Sequence, residues 1–176
     1  YEQLGSLGQM NPPLRTIDDN LALWKAIQDD VVDTVGSDHA PHTLEEKTRP
    51  YPQSPSGVPG IETTLPLLLN ACSQGKITLE KIVDLTSKNI QKIFNLPTNN
   101  EWVIIDQAKE QIVKNENLNT KCRWSPYAGQ KLQGWPVDII YKQPMKHLIS
   151  LKEQSREDIL EIIDLAQKIK RLQKSG

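Results

Sequence analysis

The sequence predicts an α/β fold with a small β-subdomain and a C-terminal amphipathic helix. Three observations predict it. Leu21, Trp24 and Ile27 recur at helical spacing just ahead of the β-branched run Val31-Val32-Asp33-Thr34-Val35, which lays down a helix–strand order. From Trp102 the apolar period changes to that of short strands. Further on, Ile159, Ile162, Ile163, Ala166 and Ile169 form an apolar stripe at helical spacing.

Taken in order, Met10-Asn11-Pro12-Pro13-Leu14-Arg15 is extended by force, because each Pro fixes its own φ and pushes the preceding residue out of the helical region. Asn11 therefore belongs to a rigid loop, which suits substrate positioning as well as plain connection. Thr16 caps a helix with Asp18 and Asp19 in its first turn, favourable to the macrodipole, and Leu21, Trp24 and Ile27 face a core. The run 31–35 reads as a buried strand. Gly36 and Pro41 break regular structure after it, so Asp38 sits just past the strand's carboxyl end, where barrel and open α/β folds collect reacting groups. Asp38 and His42, with a stiff Ala-Pro between them, can present two polar groups to one small ligand. They also suit a polar turn in which Asp38 caps a backbone N–H. Glu45-Glu46-Lys47 reads as a solvated, charged face.

Pro50, Pro52, Pro55, Pro59, Gly57 and Gly60 exclude helix and ladder over 47–60, leaving a long, stiff loop of the kind that covers sites or makes a surface excursion. At Ser56-Gly57 the backbone can approach a planar ligand. Residues 61–73 read as a buried helix with Pro66 in its first turns. Thr78 caps another, with Leu79, Ile82, Val83 and Leu85 on its apolar side, and Ser87 or Asn89 starts a short one ending at Phe94. Trp102-Val103-Ile104-Ile105, Gln111-Ile112-Val113 and Val137-Asp138-Ile139-Ile140-Tyr141 read as short strands of a β-subdomain over 97–144. Ser155-Arg156-Glu157-Asp158 resembles a capping box ahead of the terminal helix, whose exposed stripe implies a partner surface.

At 176 residues the chain holds one ordinary domain or pieces of two. A net charge of -1 excludes the electrostatic footprint of nucleic-acid binding, and no apolar run approaches the roughly 20 residues of a membrane span. Cys72 and Cys122 lack metal-type spacing; Cys72 after Leu67-Leu68-Leu69 suits a buried thiol, and a cytoplasmic protein is expected. The chain opens on Tyr1 in a loop with no preceding element, and so reads as beginning inside a larger protein.

Three blocks point to a family: Met10 to Arg15, then Gly36-Ser37-Asp38-His39-Ala40-Pro41-His42-Thr43, then Pro55-Ser56-Gly57-Val58-Pro59-Gly60-Ile61-Glu62-Thr63. In order and spacing they resemble the closing third of a type I dihydroorotase, an amidohydrolase-superfamily enzyme of pyrimidine biosynthesis. Hydantoinases and allantoinases share the Asp but not the Asn-Pro-Pro-Leu-Arg block or the His-Ala-Pro-His ending. The likeness extends to about residue 142 and includes Trp124-Ser125-Pro126-Tyr127 and Gly134-Trp135-Pro136-Val137. It implies the C-terminal part of a (β/α)8 TIM barrel of the metal-dependent hydrolase type over 1–96, with a shortened β-subdomain after it. It also implies one or two zinc ions in the complete enzyme, with Asp38 as both a ligand and the general acid/base. By the same resemblance His42 and Asn11 hold the substrate carboxylate and polar edge, and Ser56 and Gly57 contact the ring through the backbone. His39 is left to structural hydrogen bonding.

The family's His-x-His pair, carboxylated lysine and two further histidines have no counterpart here. One carboxylate cannot hold zinc, which wants about four ligands, so the chain alone is expected to be close to metal-free and inactive. A second resemblance begins at Met145: Met145-Lys146-His147-Leu148-Ile149-Ser150-Leu151-Lys152 and the helix after Ser155 look like the start of an ornithine or aspartate carbamoyltransferase, without its phosphate-binding motif. Met145 would then mark two reading frames run together or a fusion of neighbouring functions. The expected function is a partial dihydroorotase acting on dihydroorotate or N-carbamoyl-L-aspartate, with carbamoyltransferase docking or self-association as partnerships. The alternatives are a non-catalytic module docking a carbamoyltransferase or an active dihydroorotase, and a hydantoinase-like cyclic amidase.

Overall fold

The computed structural model describes residues 4–98, 101–140, 155–157, 159, 160, 163 and 164. The chain divides into two units, Tyr1–Ile140 and Tyr141–Gly176. In the first, a single 3-10 turn at Gly5–Gly8, where a loop was expected, leads through the proline loop into helix α1, Ile17–Gln28. A capping box starts α1: the Thr16 hydroxyl accepts from the Asp19 N–H, and Asp19 accepts from the Thr16 backbone. Trp24 and Ile27 pack on the core as expected. Leu21 does not: it is exposed, as are Ile17 and Leu23.

The run 31–35 is not a strand. Among the described residues its hydrogen bonds to distant parts of the chain are Val35 N–H to Leu85 O and Asn89 Nδ2 to Asp33 O, and Val31 is 71% exposed. A β-branched run becomes a strand only when a ladder satisfies its backbone, and no strand lies beside it among the described residues. The connection then bends through a one-turn helix α2, Leu44–Lys47, and the proline loop to α3, Thr64–Ser73. Helix α3 begins three residues later than the apolar pattern suggests, because residues 61–63 form the turn that precedes it. Pro66 is fully buried in its first turn, where a missing N–H is tolerated.

Thr78 caps α4, Leu79–Val83, with its side chain accepting from Lys81 N–H. A wide, π-type turn at Asp84–Lys88 then runs directly into α5, Asn89–Ile93, so the two expected helices form one continuous helical segment. Val83 faces solvent rather than the core. Leu68, Leu69, Ala71, Ile77, Ile82 and Leu85 form that core, with Trp24, Val32, Val35 and Ile105 packed against it.

The three expected short strands are two long ones. Strand β1, Trp102–Ile112, pairs antiparallel with β2, Lys131–Ile140. The first predicted strand and Gln111-Ile112 of the second belong to β1, which is interrupted by a bulge after Asp106 whose carboxylate accepts from Ala108 and Lys109 N–H; Val113 lies just beyond it. β2 lies against α3 so closely that a Cβ on Gly134 would sit 2.6 Å from Leu69 Cβ. Asn70 Oδ1 accepts from Gln133 N–H there. Trp102, Val103, Val137 and Ile139 of this ribbon stay exposed. Among the described residues no barrel closes and the sheet has two strands.

In the second unit, residues 156, 157, 159, 160, 163 and 164 are helical, and Ile159 N–H donates to Ser155 O. Leu160 and Ile163 are exposed. The rest of the expected amphipathic helix, and the segment beginning at Met145, lie outside the described residues. No helix among the described residues is long and apolar enough to cross a membrane.

Candidate active site

Three loops supply the residues singled out in the sequence. The first carries Asn11 and the second Asp38, His39 and His42; the third carries Ser56 and Gly57. Backbone contacts bring them together. Gly57 N–H donates to Gln9 O at 3.0 Å, which ties the third loop to the first two residues ahead of Asn11. Ala40 N–H donates to Val58 O, and His39 and Val58 form an isolated parallel bridge, which ties the second loop to the third.

The close approach at Gly57 needs a glycine twice over. Its φ is +127°, and a Cβ there would lie 2.5 Å from Ala40 Cβ and 3.3 Å from His42 Cδ2 and Nε2. With no side chain in the way, His42 Nε2 reaches Ser56 O at 3.1 Å. A carbonyl oxygen only accepts, so Nε2 carries the proton of this bond and Nδ1 is the nitrogen left for a ligand. His39 is used differently. Its Nδ1 accepts from Gly60 N–H and Ile61 N–H at 3.1 and 3.3 Å, which puts its proton on Nε2 and makes it the structural hydrogen-bonding residue expected.

Asp38 is exposed, and its side chain makes no ion pair or hydrogen bond among the described residues. Its backbone sits at φ +42°, in the left-handed region that short polar side chains tolerate better than most. Asn11 is exposed on the bend that begins at the cis Asn11–Pro12 bond. A hollow of about 460 Å³ beside the core is lined by Gly36, Ser37 and Val58 together with Asn20, Trp24 and Asn70. Its lining includes none of Asn11, Asp38, His42, Ser56 and Gly57.

The residues that hold these loops are given no such role by the sequence pattern. Lys47 is the clearest. Expected on a solvated face, it is completely buried, and its Nζ donates to Gln9 O and Pro55 O at 2.8 Å each. The ammonium also lies 6.0 Å from the centroid of the Trp124 ring. Burial pushes its pKa below the ordinary lysine value. Ser54, equally buried, donates to Lys47 O, while Gln9 Nε2 donates to Ser54 O. Trp124, 2% exposed, donates its indole N–H to His42 O at 2.8 Å. Glu62 receives Asn119 N–H, Asn119 Nδ2, Thr120 N–H and the Thr120 hydroxyl. Burial alone would raise the Glu62 pKa, but these four hydrogen bonds outweigh it and hold the carboxyl below its ordinary range. A usable signal for the α2 turn is the Thr43-x-x-Glu46 spacing, which does form a reciprocal capping box and sets Lys47 on its inward side.

The metal that the resemblance implies does not fit what the described residues bring together. No group of three or more His, Cys, Asp or Glu side chains among them could hold an ion, and Asp38 stands without a second ligand.

Solved structures define the class first. The chain is similar to the L-hydantoinase (dihydropyrimidinase) of Arthrobacter aurescens, with a TM-score of 0.73 and 26% identity over 77% of this chain and 33% of that one. It is equally similar to the dihydropyrimidinase of Brevibacillus agri NCHU1002, with a TM-score of 0.72 and 25% identity over 77% of this chain and 32% of that one. Curated relatives narrow it: the chain belongs to the dihydroorotase family. The dihydroorotase of Pyrococcus furiosus is 42% identical over 138 residues, or 74% of this chain and 32% of that protein. The dihydroorotase of Halobacterium salinarum is 37% identical over 136 residues, or 73% of this chain and 32% of that protein. The multifunctional protein CAD of Squalus acanthias is 43% identical over 128 residues, or 72% of this chain and 6% of that protein. The chain thus spans about a third of the length of the dihydroorotases it matches. No family model matches it.

Proposed function

We propose that this chain is the substrate-clamping and proton-transferring portion of a dihydroorotase, which reversibly hydrolyses (S)-dihydroorotate to N-carbamoyl-L-aspartate. The observation that carries the reading is the meeting of three loops whose order and spacing resemble that family. Relatives named dihydroorotase at 37 and 42% identity stand beside it. The complete enzyme would be a (β/α)8 barrel, with the exposed apolar residues of α1 and the strand ribbon packed against its remainder.

Asp38, with an unengaged carboxylate on a left-handed backbone, accepts a proton from the attacking water and returns it to the departing ring nitrogen. Asn11 and His42 Nδ1 hold the substrate carboxylate, and the Ser56-Gly57 backbone lies along the ring. Asp38 is the one metal ligand this chain would contribute to the one or two zinc ions of the complete enzyme. The chain by itself is therefore inactive and works with the rest of the barrel supplied. The segment from Met145 is proposed to be carbamoyltransferase-like, with a cytoplasmic location for the whole.

The test is Asp38→Asn in a complemented, dihydroorotate-hydrolysing assembly. Loss of proton transfer lowers kcat by about 10²–10⁴-fold with KM little changed. Undiminished turnover would refute the assignment and favour a non-catalytic docking module. A substrate panel separates hydantoinase-like activity.

A further inference from the structure

Lys47 has no part in the chemistry above, yet it is a completely buried charge at the point where two clamp loops meet. A buried ammonium is costly unless its protons are satisfied, and here main-chain oxygens satisfy it. One of its acceptors, Gln9 O, also accepts from Gly57 N–H at 3.0 Å, so a single carbonyl joins the ammonium to the loop bearing Ser56 and Gly57. The other acceptor, Pro55 O, is the residue just before Ser56. The ammonium's third neighbour, Trp124, holds the carbonyl of His42.

We propose that Lys47 is a positioning residue of the substrate clamp: its ammonium fixes the distance between the loop bearing Asn11 and the loop bearing Ser56 and Gly57. The proposal rests on the dihydroorotase reading for the identity of the substrate, but the tether itself does not. A surface lysine would tolerate replacement. This one sets the backbone path of both loops, because its acceptors are carbonyls and no side-chain change at 9 or 55 removes them. Neutral Gln in its place can reach one carbonyl, and Met can reach neither.

The experiment compares Lys47→Gln and Lys47→Met with the parent chain by two readouts. In the complemented assembly, KM for dihydroorotate rises in the order Lys, Gln, Met, reaching roughly tenfold or more for Met, while kcat stays within about threefold, the signature of lost uniform binding. In the 176-residue chain alone, hydrogen exchange at the Gly57 amide quickens in the same order, and exchange within α3 does not. A fall in melting temperature with unchanged KM and unchanged Gly57 exchange would make Lys47 merely structural and overturn the proposal. If the parent assembly turns over no dihydroorotate, the functional reading falls, and Gly57 exchange alone decides the tether. Should Lys47→Met fail to fold, Lys47→Gln carries both readouts: an intermediate rise in KM with quicker Gly57 exchange supports the tether, and no change in either overturns it.

Discussion

Replacing Gly57 by Ala puts both backbone strain and a steric clash directly into the candidate site. Three glycines make a graded series. At Gly36 nothing lies within 4 Å of an added Cβ and φ is outside the left-handed region, so Gly36→Ala should be neutral or stabilising by about 0.4–1 kcal/mol through the unfolded chain. At Gly75 the space is also open but φ is +71°, so Gly75→Ala should cost about 1–2 kcal/mol for conformation alone. At Gly57 the φ of +127° adds to a 2.5 Å approach to Ala40 Cβ, an atom fixed to its backbone and unable to swing aside. Conformational strain of about 1–3 kcal/mol and overpacking of about 1–3 kcal/mol give an expected loss of roughly 2–6 kcal/mol. For a chain of this size that lowers the melting temperature by roughly 2–4 °C per kcal/mol. Denaturant titration of the three variants measures the series. Adding Ala40→Gly to Gly57→Ala removes the clashing atom and should show a coupling of about 1–3 kcal/mol in a double-mutant cycle. A loss below about 1 kcal/mol for Gly57→Ala, or no coupling to position 40, would refute the close approach and with it the geometry assigned to His42.

Two further outcomes follow from the same loops. Glu62 is held below its ordinary value of 4.5, so the stability it contributes is present above that pH and is lost as pH falls through its depressed folded value. Denaturation of the parent and Glu62→Gln should therefore differ by about 1–3 kcal/mol at neutral pH and converge in acid; a pH-independent gap would contradict the assignment. Trp124→Phe keeps a ring in the buried slot but leaves His42 O without its indole donor, an expected cost of about 1–3 kcal/mol read by the same titration, with KM raised in the complemented assembly.

What is legible in the sequence is what is local. The caps at Thr16 and Thr78 form because a hydroxyl and an N–H three residues away need nothing else. The spacing of Asn11, Asp38, His42 and Ser56-Gly57 is legible as a motif, and the loops carrying them do come together. The run 31–35 is misread because β-branching states a preference that only a paired backbone can realise. Two strands are read where β1 is one, because the bulge after Asp106 interrupts the alternation that periodicity depends on. Lys47 is misread for a deeper reason. Its acceptors and ring neighbour are Gln9, Pro55 and Trp124, and no window along the chain contains all of them.

That pattern of long-range ties explains how loops without a strand ladder hold a defined arrangement. Each of these side chains bonds main-chain groups outside its own turn: Lys47 the carbonyls of Gln9 and Pro55, Trp124 the carbonyl of His42, and Glu62 the N–H groups of Asn119 and Thr120. Main-chain partners cannot be mutated away, so the arrangement depends on few side chains and on the path the prolines and Gly57 impose. Among the described residues no buried side-chain polar atom is left without a partner, which is the condition under which such a network rigidifies rather than destabilises. The apolar core on α3 and α4 shares none of these three side chains. Substitutions at 47, 62 and 124 should then loosen the candidate site while α3 keeps its protection from exchange, whereas Leu85→Ala, at the centre of that core, should lower both together.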